Sequence, residues 1–582
     1  MATETINAED LDSSGPNLEP LVKLESLHVS FGRDPRDRPV VNDVSLELHR
    51  GRCLAIVGES GSGKSVTART LLGLTGTFAK IETAAFQFAG RDVSRYRDRD
   101  WRRLRGRHIG YVSQDALVSL DQLRQVGREV GEGLRLHKAV RGRAELHAKV
   151  IELLRQVDIA DPEVKARQLP HELSGGQRQR ALIASALALD PEVLIADEPT
   201  TALDATVQAQ VLELLADTRD RGKALVIISH DLAVVSQMAD ELLVMRHGQI
   251  VERGAAVDVL SNPQHEYTQR LLDAVPSGHS RGSRLAPADA APSGVIAAFG
   301  PRHAAHAAAH EHGADDGPLL EVSGVRKSFR GPDRQLRAAV HEVSFTLNRG
   351  ETLGIVGESG SGKSTTARIV MALEHPDAGN VTLRGLPWSG IPERERRRRR
   401  REISLIYQDP LSSFDPRWSV ERIVGDAIAT HVDGQEQQRR RFGELLDLVG
   451  LPRDLRARRP LELSGGQRQR VAIARAIAPS PSVIVCDEPV SALDVSIQAQ
   501  VLDLLVDLRD ELKISYLFIS HDLGVVHHIS DRVLVMNEGH VVEHGDAEHV
   551  LRHPEHDYTR KLVSAVPRLR HVRESGLARE VA

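Results

Sequence analysis

Two glycine-rich stretches of the chain have the residue types and spacing of a phosphate-binding loop. GESGSGKS occurs at 58–65 and again at 357–364, each after a short apolar run and before a segment of helical character. Glycines in such a loop let backbone N–H groups converge on phosphate oxygens at the N-terminus of a helix. The lysine is expected to reach the β- and γ-phosphates, and the last serine to ligate Mg²⁺. The residues expected to bind nucleotide are Gly58, Glu59, Ser60, Gly61, Ser62, Gly63, Lys64 and Ser65, and Gly357, Glu358, Ser359, Gly360, Ser361, Gly362, Lys363 and Ser364.

Paired carboxylates follow a later apolar run in both copies. VLIADE ends with Asp197 and Glu198, and VIVCDE ends with Asp487 and Glu488. The aspartates are expected to be a second ligand of Mg²⁺, directly or through water, and the glutamates to polarise the attacking water as general bases. A solvated turn is the alternative for such a pair, but its recurrence in the same context favours the catalytic interpretation.

A histidine follows a further apolar run in each copy. His230 ends LVIISH, and His521 ends YLFISH. A single histidine in such a place is more often structural. Because it recurs in the same context, we expect both histidines to be catalytic.

Short apolar strands must position these groups. CLAIV and TLGIV run straight into the glycine-rich loops, and the runs before the carboxylates and the histidines have the continuous apolar character of buried parallel strands. Groups at the carboxyl ends of parallel strands meet at one edge of a sheet. The sequence therefore predicts an α/β fold.

All of these features occur twice at a nearly constant separation, which indicates duplication of a whole domain. A further repeated motif, LSGGQRQR, occupies 173–180 and 463–470. The predicted division is a polar N-terminal tail over 1–20, a first domain over 21–276, a linker over 277–317, a second domain over 318–568 and a C-terminal tail over 569–582.

The predicted linker is dominated by Ala, Gly, Pro, Ser and His and shows no apolar period, so we expect it to be flexible. Four of its histidines have a spacing that could bind a metal on a transient helix. A solvated stretch of low complexity is the favoured interpretation. These histidines are His303, His306, His310 and His312.

Length and composition agree with a protein of several folding units. The 582 residues exceed what one core can hold, and the formal net charge of −5 gives no reason to expect a polyanionic partner. The two cysteines, Cys53 and Cys486, argue against a disulfide framework and fit a reducing compartment. No run approaches the roughly 20 apolar residues of a membrane-spanning helix, and the N-terminus does not resemble a signal peptide. We therefore expect a cytoplasmic protein whose membrane role, if any, depends on partner subunits.

The set of phosphate-binding loop, LSGGQ, D-E-P after an apolar strand, [ST]ALD and SHD resembles the ATP-binding cassette (ABC) family. LSGGQ is the discriminating motif. The resemblance implies two tandem P-loop NTPase domains, each with a RecA-like core, an antiparallel β subdomain and a helical subdomain. It also implies ATP hydrolysis, with ATP and Mg²⁺ bound.

By the same resemblance, the two cassettes pair head to tail within one chain, and the LSGGQ segment of one caps the γ-phosphate held by the other. The first composite site would combine Lys64, Ser65, Gln114, Asp197, Glu198 and His230 with Ser464, Gly465, Gly466 and Gln467. The second would combine Lys363, Ser364, Gln408, Asp487, Glu488 and His521 with Ser174, Gly175, Gly176 and Gln177. By the resemblance, Gln114 and Gln408 are also expected to be ligands of Mg²⁺.

Two further residue pairs acquire roles only through the resemblance. Asp204 and Asp494, in TALD and SALD, would link the two sites. Phe31 and Phe329 stand where the family places an aromatic ring against adenine. For these phenylalanines a core role is nearly as well supported by the sequence.

Each cassette is followed by a similar tail, NPQHEYTQRLLDAVP at 262–276 and HPEHDYTRKLVSAVP at 553–567. These tails resemble the C-terminal extension of importer ATPases for oligopeptides, dipeptides, glutathione and nickel. The implied partners are two membrane permease subunits and a substrate-binding protein, at the cytoplasmic face of the cell membrane. Peptide is the favoured cargo, and no nucleic-acid partner is expected.

The loop after the glutamine differs between the copies. The second copy has YQDPLSSFDPRW, as in those importers, whereas the first has SQDALVSLDQLR, with Ala116 and Gln122 in place of Pro410 and Pro416. Loss of two prolines loosens the backbone, so docking to one permease is expected to differ, although a neutral difference is equally consistent with the sequence.

The alternative to a transporter subunit is a soluble double-cassette ATPase acting on ribosomes or nucleic acid. The arginine run from Arg396 to Arg401 is the local hint of a polyanionic partner, although such a run is usually a solvated helix face. This alternative leaves the two importer-type tails unexplained.

Overall fold

The computed structural model describes residues 19–32, 39–114, 116–201, 203–276, 281–286, 317–330, 335–491 and 493–566. The chain divides into two compact units. The described part of the first unit lies within Met1–Pro199 and Val211–Gln264. The second unit comprises Thr200–Gln210 and His265–Arg568.

Eleven strands in the described residues of the first copy form two sheets. One is antiparallel, in the order β2-β1-β5-β6 with β4 also paired to β1, and the other has the order β11-β10-β3-β9-β8-β7. The second sheet is parallel except for its edge strand β11. The strands are β1 Val22–Phe31, β2 Val41–Leu48, β3 Cys53–Val57, β4 Ala79–Glu82, β5 Ala85–Phe88, β6 Arg91–Asp92, β7 Ile109–Val112, β8 Val193–Asp197, β9 Ala224–Ile228, β10 Glu241–Arg246 and β11 Gln249–Ala255.

Helices connect these strands, and a helical segment separates β7 from β8. The helices are α1 Lys64–Leu71, α2 Asp98–Leu104, α3 Ala116–Ser119, α4 Val126–Val130, α5 Glu132–Leu136, α6 Arg143–Gln156, α7 Pro162–Lys165, α8 Gly175–Leu187, α9 Ala205–Asp220, α10 Leu232–Met238, α11 Ala256–Ser261 and α12 Glu266–Asp273. A 3₁₀ turn at Pro170–Glu172 precedes α8.

The second copy repeats this plan. Its sheets have the orders β13-β12-β15-β16 and β17-β18-β19-β14-β20-β21. The strands are β12 Leu320–Arg330, β13 Leu336–Leu347, β14 Thr352–Val356, β15 Ala378–Leu383, β16 Leu386–Pro387, β17 Ile403–Ile406, β18 Val483–Asp487, β19 Ser515–Ile519, β20 Arg532–Asn537 and β21 His540–Asp546. The helices are α13 Lys363–Val370, α14 Glu393–Arg396, α15 Val420–Ala429, α16 Gln435–Leu448, α17 Gly465–Ile477, α18 Val495–Leu512, α19 Leu523–Ile529, α20 Ala547–Arg552 and α21 Asp557–Ala565. The predicted α/β class, with an antiparallel β subdomain and a helical subdomain in each copy, is confirmed.

Burial of the parallel strands explains their continuous apolar sequences. Every residue of β3, β8, β9, β14 and β19 is buried, which requires apolar side chains on both faces of the sheet. Cys53 lies in β3 and Cys486 in β18, both side chains are buried, and burial raises the pKa of both thiols. They are packing residues. No helix among the described residues is long and apolar enough to cross a membrane.

Residues 281–286 lie in the stretch expected to be a flexible linker, yet they pack within the second unit. Leu285 is 3% exposed and belongs to the apolar core of that unit. The N–H groups of Leu285 and Ala286 donate to the two carboxylate oxygens of Asp503, at 3.1 and 3.0 Å. These six residues are therefore anchored on α18. The four linker histidines lie outside the described residues.

An arginine completes this anchor. Arg284 donates from Nη2 to Asp507 and lies 3.8 Å from Asp503 through Nε. Asp503 and Asp507 are one turn apart on α18 and nearly buried, so the arginine compensates charges that water hardly reaches.

Leu285→Ala is expected to lower the free energy of unfolding of the second unit by about 2–3 kcal/mol, because it removes a buried side chain and leaves a cavity. Urea unfolding followed by tryptophan fluorescence measures the change, in a Trp101→Phe background so that Trp388 and Trp418 report the second unit. The control is Arg281→Ala, since Arg281 reaches Asp531 and Asp546 only at 3.8 and 3.9 Å and should cost about 0.5 kcal/mol or less. Equal losses in the two variants would show that residues 281–286 are not anchored.

Candidate functional site

The glycine-rich loop connects a central strand to a helix in each copy. Strand β3 leads into residues 58–63, and helix α1 begins at Lys64. Gly63 is the N-cap residue of this helix and makes no side-chain capping bond. Gly58 has φ +147°, and a Cβ there would lie 2.2 Å from the carbonyl oxygen of Met245. In the second copy, a Cβ at Gly357 would lie 2.1 Å from the oxygen of Met536. Only glycine fits these positions, which explains why the loop is glycine-rich.

The lysine of each loop is buried and curls back over it. Lys64 Nζ donates to the carbonyl oxygens of Gly58 and Glu59, at 2.6 and 2.9 Å. Lys363 makes the same two bonds within its own loop, both at 2.8 Å. Burial lowers the pKa of Lys363, although neighbouring carboxylates oppose the shift. A phosphate group would replace these carbonyl contacts with stronger, charge-assisted ones.

A serine and an aspartate meet beside each loop. Ser65 Oγ donates to Asp197 Oδ1 at 3.1 Å, and Ser364 Oγ donates to Asp487 Oδ1 at 3.4 Å. Burial raises the pKa of both aspartates, as does the adjacent glutamate. A hydroxyl and a carboxylate oxygen are ligands that Mg²⁺ prefers, and a cation here would relieve the cost of burying the carboxylate. The residues present therefore fit a magnesium ion.

The glutamate after each aspartate is held by a glutamine and a histidine. Gln114 Nε2 donates to Glu198 Oε2 at 2.8 Å, and Gln408 makes the same bond to Glu488 at 2.7 Å. His230 Nδ1 lies 3.4 Å from Glu198 Oε1. In the second copy this distance, from His521 to Glu488, is 3.2 Å. In each copy the predicted glutamine, glutamate and histidine, which follow three different strands, are thus brought together.

In the second copy, the contact between Glu488 and His521 shifts the pKa of both side chains. Burial opposes the ionised form of Glu488, but the hydrogen bond and charge of His521 outweigh it, and the pKa of Glu488 is lowered. Burial likewise opposes the charged form of His521, but Glu488 outweighs it, and the pKa of His521 is raised. The glutamate therefore remains a carboxylate, which is the form that a base requires.

Both glutamates occupy a left-handed backbone conformation. Glu198 has φ +51° and Glu488 has φ +49°, which is uncommon for a residue with a side chain. The N–H of Glu198 donates to Ile228, and that of Glu488 donates to Ile519, each at 2.9 Å. Backbone strain held in this way is frequent at functional sites.

The serine of each LSGGQ motif caps a helix. Ser174 Oγ accepts from the N–H of Gln177 at 3.3 Å at the start of α8. Ser464 accepts from Gln467 at 3.2 Å at the start of α17. The glycines after each serine form the first helical turn, so their N–H groups and the helix dipole suit an anion.

The remaining predicted residues are placed as follows. Phe31 is 38% exposed and Phe329 is 42% exposed, so neither ring is part of a core. Within the second unit, the carboxylate of Asp204 accepts a hydrogen bond from the N–H of Ser359, a residue of the glycine-rich loop, at 3.2 Å. Asp494 is the N-terminal cap residue of α18.

Two tyrosines touch the sites although no role was predicted for them from the sequence. Tyr111 donates its hydroxyl proton to Asp197 Oδ2 at 3.1 Å, and burial raises the pKa of Tyr111 to about 12, so the phenol keeps its proton. The hydroxyl oxygen of Tyr558 accepts from the N–H of Glu358 at 3.0 Å. Tyr558 belongs to the repeated HDYT tail, and that repetition was the signal available in the sequence.

Half of the arginine run is engaged within the fold. Arg396, Arg399 and Arg400 place their guanidinium groups 5.5 to 5.7 Å from the ring centroid of the buried Trp388. Each also donates to backbone carbonyls, and Arg400 caps the end of α13 through Met371. These three arginines stabilise the packing of α14 and are not available as a patch for a polyanion. Arg397, Arg398 and Arg401 are exposed.

A groove lies beside the loop after Gln408 in the second copy. It is a cavity of about 540 Å³ lined in part by Tyr407, Ser413 and Arg475. The Arg475 guanidinium lies 5.8 Å from the Tyr407 ring and 4.9 Å from the Phe414 ring, and it donates to the backbone and side-chain oxygens of Ser413. This cluster gives the groove one aromatic, half-exposed wall.

The first copy has different residues at these places, namely Ser113, Leu120 and Ser185. Ala116–Ser119 also forms a short helix there, whereas the second copy has consecutive turns from Pro410. The predicted difference between the two loops therefore has a structural counterpart in each unit.

Comparison with known proteins agrees with these sites. The ABC transporter family matches residues 41–201 and 340–491, and the oligopeptide/dipeptide transporter C-terminal region matches 251–297 and 542–581. The chain is 39% identical to an oligopeptide transport ATP-binding protein of Mycobacterium tuberculosis, over 94% of this chain and 99% of the relative. It is 40% identical to a glutathione import ATP-binding protein of Salmonella typhimurium, over 96% of this chain and 91% of the relative. It is also 40% identical to a peptidoglycan transport ATP-binding protein of Agrobacterium fabrum, over 94% and 97% of the two chains.

Two nucleotide sites of the same construction, two matches to one family and relatives that cover nearly the whole chain lead to one conclusion. The chain belongs to the ABC transporter family and is an ATPase with two cassettes in one polypeptide.

Proposed function

We propose that this protein energises an importer of di- or oligopeptides from the cytoplasmic face of the cell membrane, together with two membrane permease subunits and a substrate-binding protein. The observation that carries the proposal is the oligopeptide/dipeptide transporter region that follows each cassette. In the second copy this region reaches the nucleotide loop, since Tyr558 accepts from Glu358. An extension that contacts the loop is suited to report its state.

ATP closes the two cassettes head to tail. Each glycine-rich loop then faces the LSGGQ segment of the other copy, which gives the two composite sites that the sequence predicts. The start of α8 and the start of α17 suit the γ-phosphate because each offers N–H groups and a serine hydroxyl. The hydrogen bond from Ser359 to Asp204 supports this arrangement, because a TALD residue of the first copy reaches a loop residue of the second.

Each residue of a site has a distinct task during hydrolysis. The loop N–H groups and the lysine bind the β- and γ-phosphates, and the serine and aspartate, with the glutamine nearby, would hold Mg²⁺, which neutralises phosphate charge when bound. Glu198 and Glu488 accept the proton of the attacking water. His230 and His521 hold those carboxylates in place, and hydrolysis reopens the cassettes.

The groove beside Gln408 is the docking site for a permease. Its lining joins a positively charged arginine to the ring of Tyr407 and to apolar side chains, which suits an amphipathic helical segment of a membrane subunit. Because Gln408 bonds to Glu488, movement of the loop is transmitted directly to the catalytic carboxylate. The first copy would dock the other permease through a less aromatic surface.

A ribosome- or nucleic-acid-directed ATPase is not favoured. The arginine run was its local support, and three of those arginines are bound to Trp388 and the backbone.

Affinity purification of the protein from detergent-solubilised membranes is expected to recover two different multi-span permeases and to lose them when either tail is deleted. Cells lacking the protein should also stop importing a radiolabelled tripeptide. Sedimentation with ribosomes and no membrane partner would contradict the proposal.

Glu198→Gln and Glu488→Gln are each expected to reduce ATP turnover of the assembled complex by about 10²-fold or more, because general base catalysis is lost and closed sites are coupled. Phosphate release measures the rate. Glu395→Gln, at an exposed glutamate, is the control for the lost charge. If either single variant retained the parent's rate, the assignment of that site would fail.

Arg475→Ser, which installs the first copy's residue, is expected to weaken binding of one permease about tenfold by removing a central contact. Surface plasmon resonance with the complex's permeases in nanodiscs measures the change, and ATP binding by the variant checks its fold. The matched control is Ser185→Ala in the first copy. Unchanged permease affinity in the arginine variant would remove the groove from the docking surface.

A further inference from the structure

The two nucleotide sites differ at one residue beside the aspartate. In the first copy Asp197 receives two hydrogen bonds, from Ser65 on Oδ1 and from the Tyr111 hydroxyl on Oδ2, both at 3.1 Å. The two oxygens of this buried carboxylate are therefore held separately. The oxygen that faces Ser65 is the one available to a cation bound by both residues.

The strand register identifies the counterpart of the tyrosine. Tyr111 lies beside Ile195 in β8, two residues before Asp197. In the second copy Leu405 lies beside Val485, two residues before the corresponding aspartate. The positions are equivalent, but leucine has no hydroxyl and can make no such bond.

The tyrosine also connects the aspartate to the helix that follows the glycine-rich loop. Arg69, which lies one turn after Ser65 on α1, is near this hydroxyl and lowers the pKa of Tyr111, against the larger effect of burial. In the first unit, Asp197 of β8 is therefore bonded both to Tyr111 of β7 and to Ser65 of α1. Arg368 occupies the place of Arg69 in the second copy, but the tyrosine between arginine and carboxylate is missing there.

We propose that Tyr111 is a positioning residue of the first site, and that it makes this site bind the metal–nucleotide pair more tightly than the second. The proposal rests on the role of Asp197 as a Mg²⁺ ligand. A ligand already fixed in its binding orientation loses less freedom when the ion arrives. Hydrogen-bond partners of metal ligands are typically worth about 10- to 100-fold in metal affinity.

The consequence is an order of events within one chain. At limiting Mg²⁺ the first site fills and closes before the second. The two sites carry the same catalytic groups and differ in this outer contact, so the difference lies in occupancy rather than in chemistry. The cassettes would then act in a defined sequence.

The test uses the full chain with Glu198→Gln and Glu488→Gln, which binds ATP without turnover. Mn²⁺ serves as the probe in place of Mg²⁺. As Mn²⁺ is added, two quantities are followed: the amount of radiolabelled ATP retained by the protein and the electron paramagnetic resonance signal of bound Mn²⁺. Two steps are expected, separated by about tenfold in Mn²⁺ concentration. Tyr111→Phe should move the tighter step about tenfold upward, so that one step remains.

Matched variants separate the effect of the tyrosine hydroxyl from that of the aromatic ring. Leu405→Phe should leave both steps in place, whereas Leu405→Tyr should move the weaker step toward the tighter one. Tyr111→Leu, the second copy's own residue, provides a second removal in case the phenylalanine variant is unstable, and thermal melting without nucleotide checks both.

A single step in the parent protein, or an unmoved tight step in both Tyr111 variants, would overturn the inference. Failure of the importer proposal would appear instead as missing permease partners and would leave this titration unchanged.

Discussion

In each unit the strands that carry the chemistry are parallel neighbours whose register ends them at the same level of the sheet. Asp197 is paired with Ile228 across β8 and β9, so the residues that follow both strands emerge side by side. Gln114, Glu198 and His230 consequently meet although they are far apart in the chain. A slip of one residue in any of these strands would turn the carboxylate to the other face of the sheet and separate the group. The buried apolar strands therefore serve catalysis by fixing this register.

The same register accounts for the strain at the site. The chain must turn sharply after β8 and β18 to bring the glutamate above the strand end, and both glutamates adopt a positive φ to do so. Hydrogen bonds to the neighbouring strand hold that turn. The backbone strain therefore lies at the two glutamates that act as bases, and the packing of the sheet compensates for its cost in free energy.

Much of this arrangement could be predicted from the residues alone. The roles of the glycines, lysines and strand-end carboxylates could be predicted because few residue types can perform each role. The duplication showed each of these patterns twice. Contacts that depend on tertiary packing had no such signature. In the sequence Tyr111 is one more aromatic residue of a strand, and only the fold shows that it contacts Asp197. Arg475 is likewise an ordinary helical arginine in the sequence, and only the fold places it beside Tyr407. The anchoring of Leu285 was hidden in the same way, because its partner Asp503 lies on a distant helix.

We propose that one chain forms two ATP sites by pairing its own cassettes. Native mass spectrometry of the Glu198→Gln, Glu488→Gln protein with ATP and Mg²⁺ tests it most directly, with Ser174→Arg and Ser464→Arg to block each LSGGQ segment. A single chain is expected to retain two ATP molecules and to lose retained ATP when a signature serine is replaced. Retention of ATP only in dimers of the chain would contradict it.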